Sequence, residues 1–152
     1  VDKINTITWA AQQTIILRIV VVAILAGLIG WERDRAGKAA GTRTMALVGI
    51  SATVIVAIGE VLNQQFNLGD PTRALHAVVT GIGFLGAGLI FTTGKSHEIQ
   101  GVTTSATVFT TACMGIAVGL GFLYTAVAFT VVTIIVLRST HLIEKTHLTR
   151  GD

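Results

Sequence analysis

The sequence predicts an all-α integral membrane helical bundle of about five transmembrane helices, and three observations carry that expectation. The first is composition: 51% of the residues are hydrophobic, only 12% are charged, and the mean hydropathy is +0.73. A soluble domain carries roughly 25% charged residues, so this chain lacks the polar surface to cover a water-facing globule. The second is the presence of two long runs, residues 74–94 and 99–137, without Asp, Glu, Lys or Arg. Crossing a hydrocarbon core ~30 Å thick takes about 20 helical residues, so the first run reads as one span and the second as two. The third is that the cations gather in short segments between apolar runs. A closed barrel would show alternating segments of about ten residues, and none is present.

The first span is placed at 9–31, between Trp9 and Trp31. Their spacing is about 33 Å along a helix, which suits an aromatic belt at each interface. This run is too long for the apolar part of a cleavable leader, so it is expected to stay as a span. The second span is placed at 44–62 and the third at 74–93, with Pro71 well suited to the helix start that precedes it. The last two, 102–118 and 122–137, share a turn at Gly119-Leu120-Gly121. Residues 139–152 read as a short cytoplasmic tail after a transmembrane domain of residues 1–138. Arg33, Arg35, Lys38, Arg43, Lys95, Arg138, Lys145 and Arg150 fall on one side of this arrangement, and only Lys3 and Arg73 on the other. By the positive-inside bias the N-terminus is outside and the C-terminus cytoplasmic.

Several motifs need weighing. Gly81-Ile82-Gly83-Phe84-Leu85-Gly86 spells the dinucleotide fingerprint, but it lies midway along an apolar run with no preceding strand and no following acid. No nucleotide is expected there. Glycines inside a spanning helix instead let a neighbouring backbone approach, so Gly81, Gly83, Gly86 and Gly88 read as helix-packing positions. The sharper alternative is a broken helix presenting amides to a ligand. Thr103, Thr107, Thr111, Gly115 and Gly119 recur every four residues along one face of the fourth span. Gly115 and Gly119 are again packing positions; the threonines, with Thr104 beside them, either bond within the bundle or line a polar conduit. Cys113 is the lone cysteine, and it reads as a small buried hydrophobe.

The polar candidates are few. Arg18 lies about 13 Å along the helix from Trp9, near the middle of the bilayer. An arginine there costs at least about 2.5 kcal/mol on insertion scales and is normally paired or facing water. Glu60, toward the far end of the second span, is the acid nearest in depth; Asp70 already has Arg73 one turn away. His76 follows on the same face, a residue type that can switch charge in the physiological range. Glu32 and Arg43 bound a mixed-charge loop whose cations suit anionic lipid headgroups.

Gly27-Leu28-Ile29-Gly30-Trp31-Glu32-Arg33, Ala40-Gly41-Thr42-Arg43-Thr44, Asp70-Pro71-Thr72-Arg73, the glycine run 81–88 and Gly101-Val102-Thr103-Thr104 together resemble the MgtC/SapB family of bacterial inner-membrane proteins. The similarity extends over nearly the whole chain. It implies a multi-pass plasma-membrane protein linked to growth in low magnesium, acid stress and virulence, and longer members add a soluble C-terminal domain. Thr42, Ala77 and Phe109 depart from the usual Leu, Gln and Trp.

The residues favour a non-enzymatic regulatory protein acting through helix contacts with itself or another membrane protein. No nucleophile, base and orienting group recur at a workable spacing, and no metal-ligand cluster or cofactor motif is present. The net charge of +3 reports orientation, not nucleic-acid binding. The alternative is a transporter or channel subunit for protons or magnesium, built on Arg18, His76 and the threonines. Magnesium prefers carboxylate and water ligands, and the acids lie near span ends. The orientation is checked in a Cys113→Ala background carrying Thr6→Cys, Gly37→Cys or Thr149→Cys. On intact cells an impermeant thiol reagent is expected to label Thr6→Cys alone; labelling of the other two without it reverses the orientation.

Overall fold

The computed structural model describes residues 9–67, 70, 72–93 and 98–148; Lys3, Pro71, Lys95 and Arg150 lie outside the described residues. Its helices are α1 (Trp9–Arg35), α2 (Thr42–Phe66), α3 (Arg73–Leu89), α4 (Val102–Gly119) and α5 (Leu123–Leu148). They run alternately up and down. The ends of the bundle are named here the Arg18 end, where α2 stops, and the Arg33 end, where α2 begins. By length and composition α1, α2 and α4 are long and apolar enough to cross a membrane. The 17-residue α3 and the apolar part of α5, Leu123–Ser139, are shorter.

Helix ends differ from the expected span ends in both directions. The third segment leaves the helix at Leu89 and not at Thr93, because Ile90 turns extended (φ −95°, ψ 119°). Phe91–Thr93 then forms β1, antiparallel to β2 at Glu98–Gln100, with Phe91 opposite Gln100. Aromatic and β-branched residues suit a strand, and an uncharged run does not by itself distinguish strand from helix. Conversely, α1 continues past Trp31 to Arg35 and α5 runs on to Leu148. A helix can outrun the apolar layer that its hydropathy marks.

The middle of the bundle is α4, which packs against α1, α2, α3 and α5. On one side Met45, Val48, Ala52 and Val56 of α2 meet Val78 and Ile82 of α3 and Val108 and Ala112 of α4. On the other, Val22, Leu25, Ala26 and Ile29 of α1 meet Met114 and Val118 of α4 and Ala126 of α5. Glycines set how closely α2 and α4 approach. A Cβ at Gly115 would stand 2.6 Å from the Gly49 carbonyl oxygen and 3.0 Å from Ala52 Cβ. At Gly119 it would stand 3.0 Å from the Thr53 carbonyl oxygen and from Val56 Cβ, and at Gly49 3.0 Å from Ala26 Cβ of α1. Thr53 Oγ1 uses this proximity to donate to the Gly115 carbonyl at 2.8 Å.

The α3 glycines divide. A Cβ at Gly86 would meet Ser105 Oγ of α4 at 2.7 Å, whereas Gly81, Gly83 and Gly88 meet nothing within 4 Å. Of the six expected packing glycines, Gly86, Gly115 and Gly119 therefore pack within the chain, and a side chain at the other three would meet open space. Gly115→Ala is expected to lower stability by about 1–3 kcal/mol through overpacking. Gly83→Ala is expected to be neutral or to stabilise by up to ~1 kcal/mol through helix propensity. Thermal unfolding of detergent-solubilised variants compares them; an equal loss in both removes the distinction between the two faces.

Candidate functional site

Polar groups collect at the two ends of the bundle, with a closed seam of threonines between them. At the Arg18 end, Arg18 Nη1 lies 3.5 Å from Glu60 Oε2 and donates to the Gly119 carbonyl at 2.5 Å. One side chain from α1 thus ties the end of α2 to the C-terminus of α4. The Ile116, Ala117 and Val118 carbonyls accept from the amides of the following turn, which leaves Gly119 and the negative end of the helix dipole to a permanent cation. Gly121 turns the chain toward α5 at φ +87°, and a Cβ there would lie 2.9 Å from Arg18 Nη2. The backbone angle therefore selects glycine, and a side chain here would displace the guanidinium. Glu60 is held from its other oxygen by Gln64 Nε2 at 3.3 Å. The Arg18 and Glu60 side chains are 21% and 33% exposed, so the pair is partly and not fully withdrawn from its surroundings.

Asp70 stands apart from Arg18. Its Oδ1 accepts from the Thr72 amide at 2.8 Å and the Thr72 hydroxyl at 2.7 Å. The hydroxyl and then the amide hold its carboxyl below the usual carboxylate range, with the charges of His76 and Arg73 adding to that effect. Arg73 and His76 are exposed. The group is an entry turn for α3, with the Arg73 amide also donating to the Asp70 carbonyl at 3.4 Å.

Along α4 the hydroxyls of Thr107 and Thr111 bond inside the bundle. Thr107 donates to the Thr103 carbonyl at 2.7 Å and Thr111 to the Thr107 carbonyl at 2.9 Å, with Met45 Sδ 3.4 Å from the Thr111 hydroxyl. Thr111 has no exposed surface and Thr107 only 3%. Such back-bonding is the usual way an apolar environment satisfies a hydroxyl.

The Arg33 end holds what the sequence reading missed. Arg33, expected only as a topology charge, is 2% exposed, and its Nε donates to the 4%-exposed Glu32 at 2.5 Å. Arg33 continues the buried face through Val22, Leu25, Ala26 and Ile29, so helical phase was the available signal. Next to it Asp34 Oδ2 accepts from the Thr42 amide at 3.0 Å and the Thr42 hydroxyl at 2.6 Å, capping α2 from eight residues upstream. A side chain at Gly41 would strike the Asp34 carboxylate, and one at Gly30 would lie 2.8 Å from the Thr42 amide nitrogen. No local capping rule finds this corner, since the acid precedes the helix by a whole loop. Arg43 is exposed beside it. Arg35 stacks on Trp31, 3.9 Å from the ring centroid, a cation–π contact added to any interfacial role of the indole. Among the described residues no group of three His, Cys, Asp or Glu is placed to hold a metal ion.

The MgtC family model matches residues 19–146 of the chain. The chain belongs to the MgtC family. It is 36% identical over 131 residues to the putative magnesium transporter YhiD of Escherichia coli K12, covering 83% of this chain and 60% of that protein. It is 38% identical over 113 residues to protein MgtC of Brucella abortus, covering 74% and 45%. It is 29% identical over 124 residues to protein SapB of Bacillus subtilis, covering 76% and 52%. The chain thus spans roughly half to six-tenths of the length of the relatives it matches. No solved structure matches it. Family membership and the apolar helices make it a membrane protein.

Arg18→Leu is expected to cost more stability than Glu60→Leu, because it also strips the Gly119 carbonyl of its donor. The double variant is expected to be more stable than the sum of single losses by about 1 kcal/mol, modest because the pair is partly exposed. Additive losses in a double-mutant cycle on the detergent-solubilised protein dissolve the pair.

Proposed function

We propose that this MgtC family member is a non-enzymatic regulator of the bacterial plasma membrane, acting through helix contacts with another membrane protein or a second copy. The single observation that carries this reading is the buried seam between α2 and α4. Its hydroxyls are turned onto helix carbonyls, and Gly49, Gly115 and Gly119 close the space between the two backbones. A path for ions would need those oxygens free and facing water. The outward glycines of α3 support a contact role: Gly81, Gly83 and Gly88 leave the backbone open, and Phe84 beside them is 82% exposed. In lipid, close backbone approach at small residues is a main source of helix association.

The name of the Escherichia coli relative YhiD links the family to magnesium, and the proposed regulation concerns adaptation to low magnesium or acid stress. Direct conduction is the second reading, favoured by the YhiD name. The arginine argues against a dication there, since its charge is permanent and repels one.

Purified protein in liposomes is expected to show no magnesium flux above empty vesicles. Gly83→Leu is expected to keep the monomer's thermal transition while weakening co-purification from native membranes. A magnesium flux abolished by Glu60→Gln makes the chain a transporter; unchanged co-purification of Gly83→Leu removes α3 as the contact face.

A further inference from the structure

At the Arg33 end a cavity of about 570 Å³ opens between the α1–α2 loop, the end of α3, the β-hairpin and the start of α4. Its wall includes Lys38, Phe91, Gln100, Gly101 and Thr104, and among the described residues that line it there is no Asp or Glu. We propose that this cavity binds a phosphate group carrying net negative charge, on a membrane lipid headgroup or as free phosphate.

Three independent features converge on an anion. The N-terminus of α4, an 18-residue helix, faces the cavity and receives no side-chain cap. Its N-cap is Gly101 at φ +85°, packed so tightly on Leu89 that a Cβ would strike the Leu89 carbonyl oxygen. The first intrahelical bond of α4 runs from the Ser105 amide to the Gly101 carbonyl at 2.8 Å. The amides of Val102, Thr103 and Thr104 precede it, at the positions where a helix gives its amides no intrahelical partner. Such a terminus is an anion site by geometry and dipole.

The second feature is Thr104. It is 6% exposed and lines the cavity. Thr107, Thr110 and Thr111 each bond the carbonyl four residues back, but the Thr104 hydroxyl has no hydrogen-bond partner among the described residues. That hydroxyl opens onto the cavity and is free to bond whatever occupies it. The third is Lys38, exposed at the rim and paired with no acid among the described residues. A phosphate placed between them accepts from the helix amides and the Thr104 hydroxyl while Lys38 supplies charge. The exposed apolar residues Phe91, Ile99 and Val102 at the same cavity suit a group attached to an acyl chain.

The test uses the full chain in a nonionic detergent. Native mass spectrometry compares bound phosphatidic acid with phosphatidylcholine, and equilibrium dialysis measures labelled inorganic phosphate. The wild-type chain is expected to retain phosphatidic acid, phosphate or both. Lys38→Gln and Thr104→Val are each expected to weaken that binding about tenfold, as for loss of one charge-assisted hydrogen bond. Thr104→Ser, which keeps the hydroxyl, is expected to stay near wild type, and Arg138→Gln, outside this cavity, to leave binding unchanged. Retention of phosphatidic acid alone assigns the lipid headgroup; binding of inorganic phosphate assigns the free anion. Absence of both, binding that survives Lys38→Gln, or an equal loss in Arg138→Gln overturns the site. Should Thr104→Val fail to fold, Lys38→Gln in the exposed loop together with Thr104→Ser decides the matter.

Discussion

The contact on which the rest of the bundle depends is the approach of α2 to α4 at Gly49, Gly115 and Gly119. Apolar surface gains nothing by leaving lipid for another apolar helix, so association has to come from close packing and from polar groups satisfied between helices. Glycine supplies both here. It lets the Gly49 carbonyl oxygen stand where a Gly115 side chain would be, and it brings Thr53 within hydrogen-bonding reach of the Gly115 carbonyl. With α4 fixed against α2, one of its flanks is left for α3 through Gly86 and Ser105, and the other for α1 and α5 through Met114 and Val118.

Charge brackets this seam at both ends. Arg18 gathers α1, α2 and α4 at one end, and Glu32, Arg33 and Asp34 organise the turn from α1 into α2 at the other. The two differ in kind. Arg18 reaches across the bundle to partners far along the chain, and so constrains tertiary structure. The Glu32–Arg33 pair is local, and its burial follows from the helical phase of α1. A charge withdrawn from water is tolerated only when its partner stays in place, so each pair makes its end of the bundle sensitive to helix displacement.

What is turned inward and what is left outward bear differently on function. The seam threonines and the paired charges are engaged within the chain, which accords with the proposed regulatory role more readily than with a conduit. The outward features are the bare glycines of α3 and the uncapped start of α4 with its unpartnered Thr104. These are where binding to something else costs the chain no contact of its own. Magnesium enters through the relatives' names, and no cluster of acidic residues among those described supplies it with ligands.

The sequence by itself determined that the chain is a helical membrane bundle, where its apolar segments lie and which family it belongs to. Hydropathy, charge spacing and ordered short motifs are local properties, and they survive without knowledge of contacts. Depth arithmetic along two helices even picked Glu60 as the acid nearest in depth to Arg18. Tertiary structure alone decided which small residues touch: Gly81 and Gly86 look alike in sequence, yet one meets Ser105 and the other meets nothing. It also decided that Asp34 caps a helix eight residues on, that Phe91 leaves the helix for a hairpin, and that Thr104 differs from its neighbours on α4. Each of these depends on what a second segment places opposite the residue. Periodicity records which face a residue is on, and only packing says what that face meets.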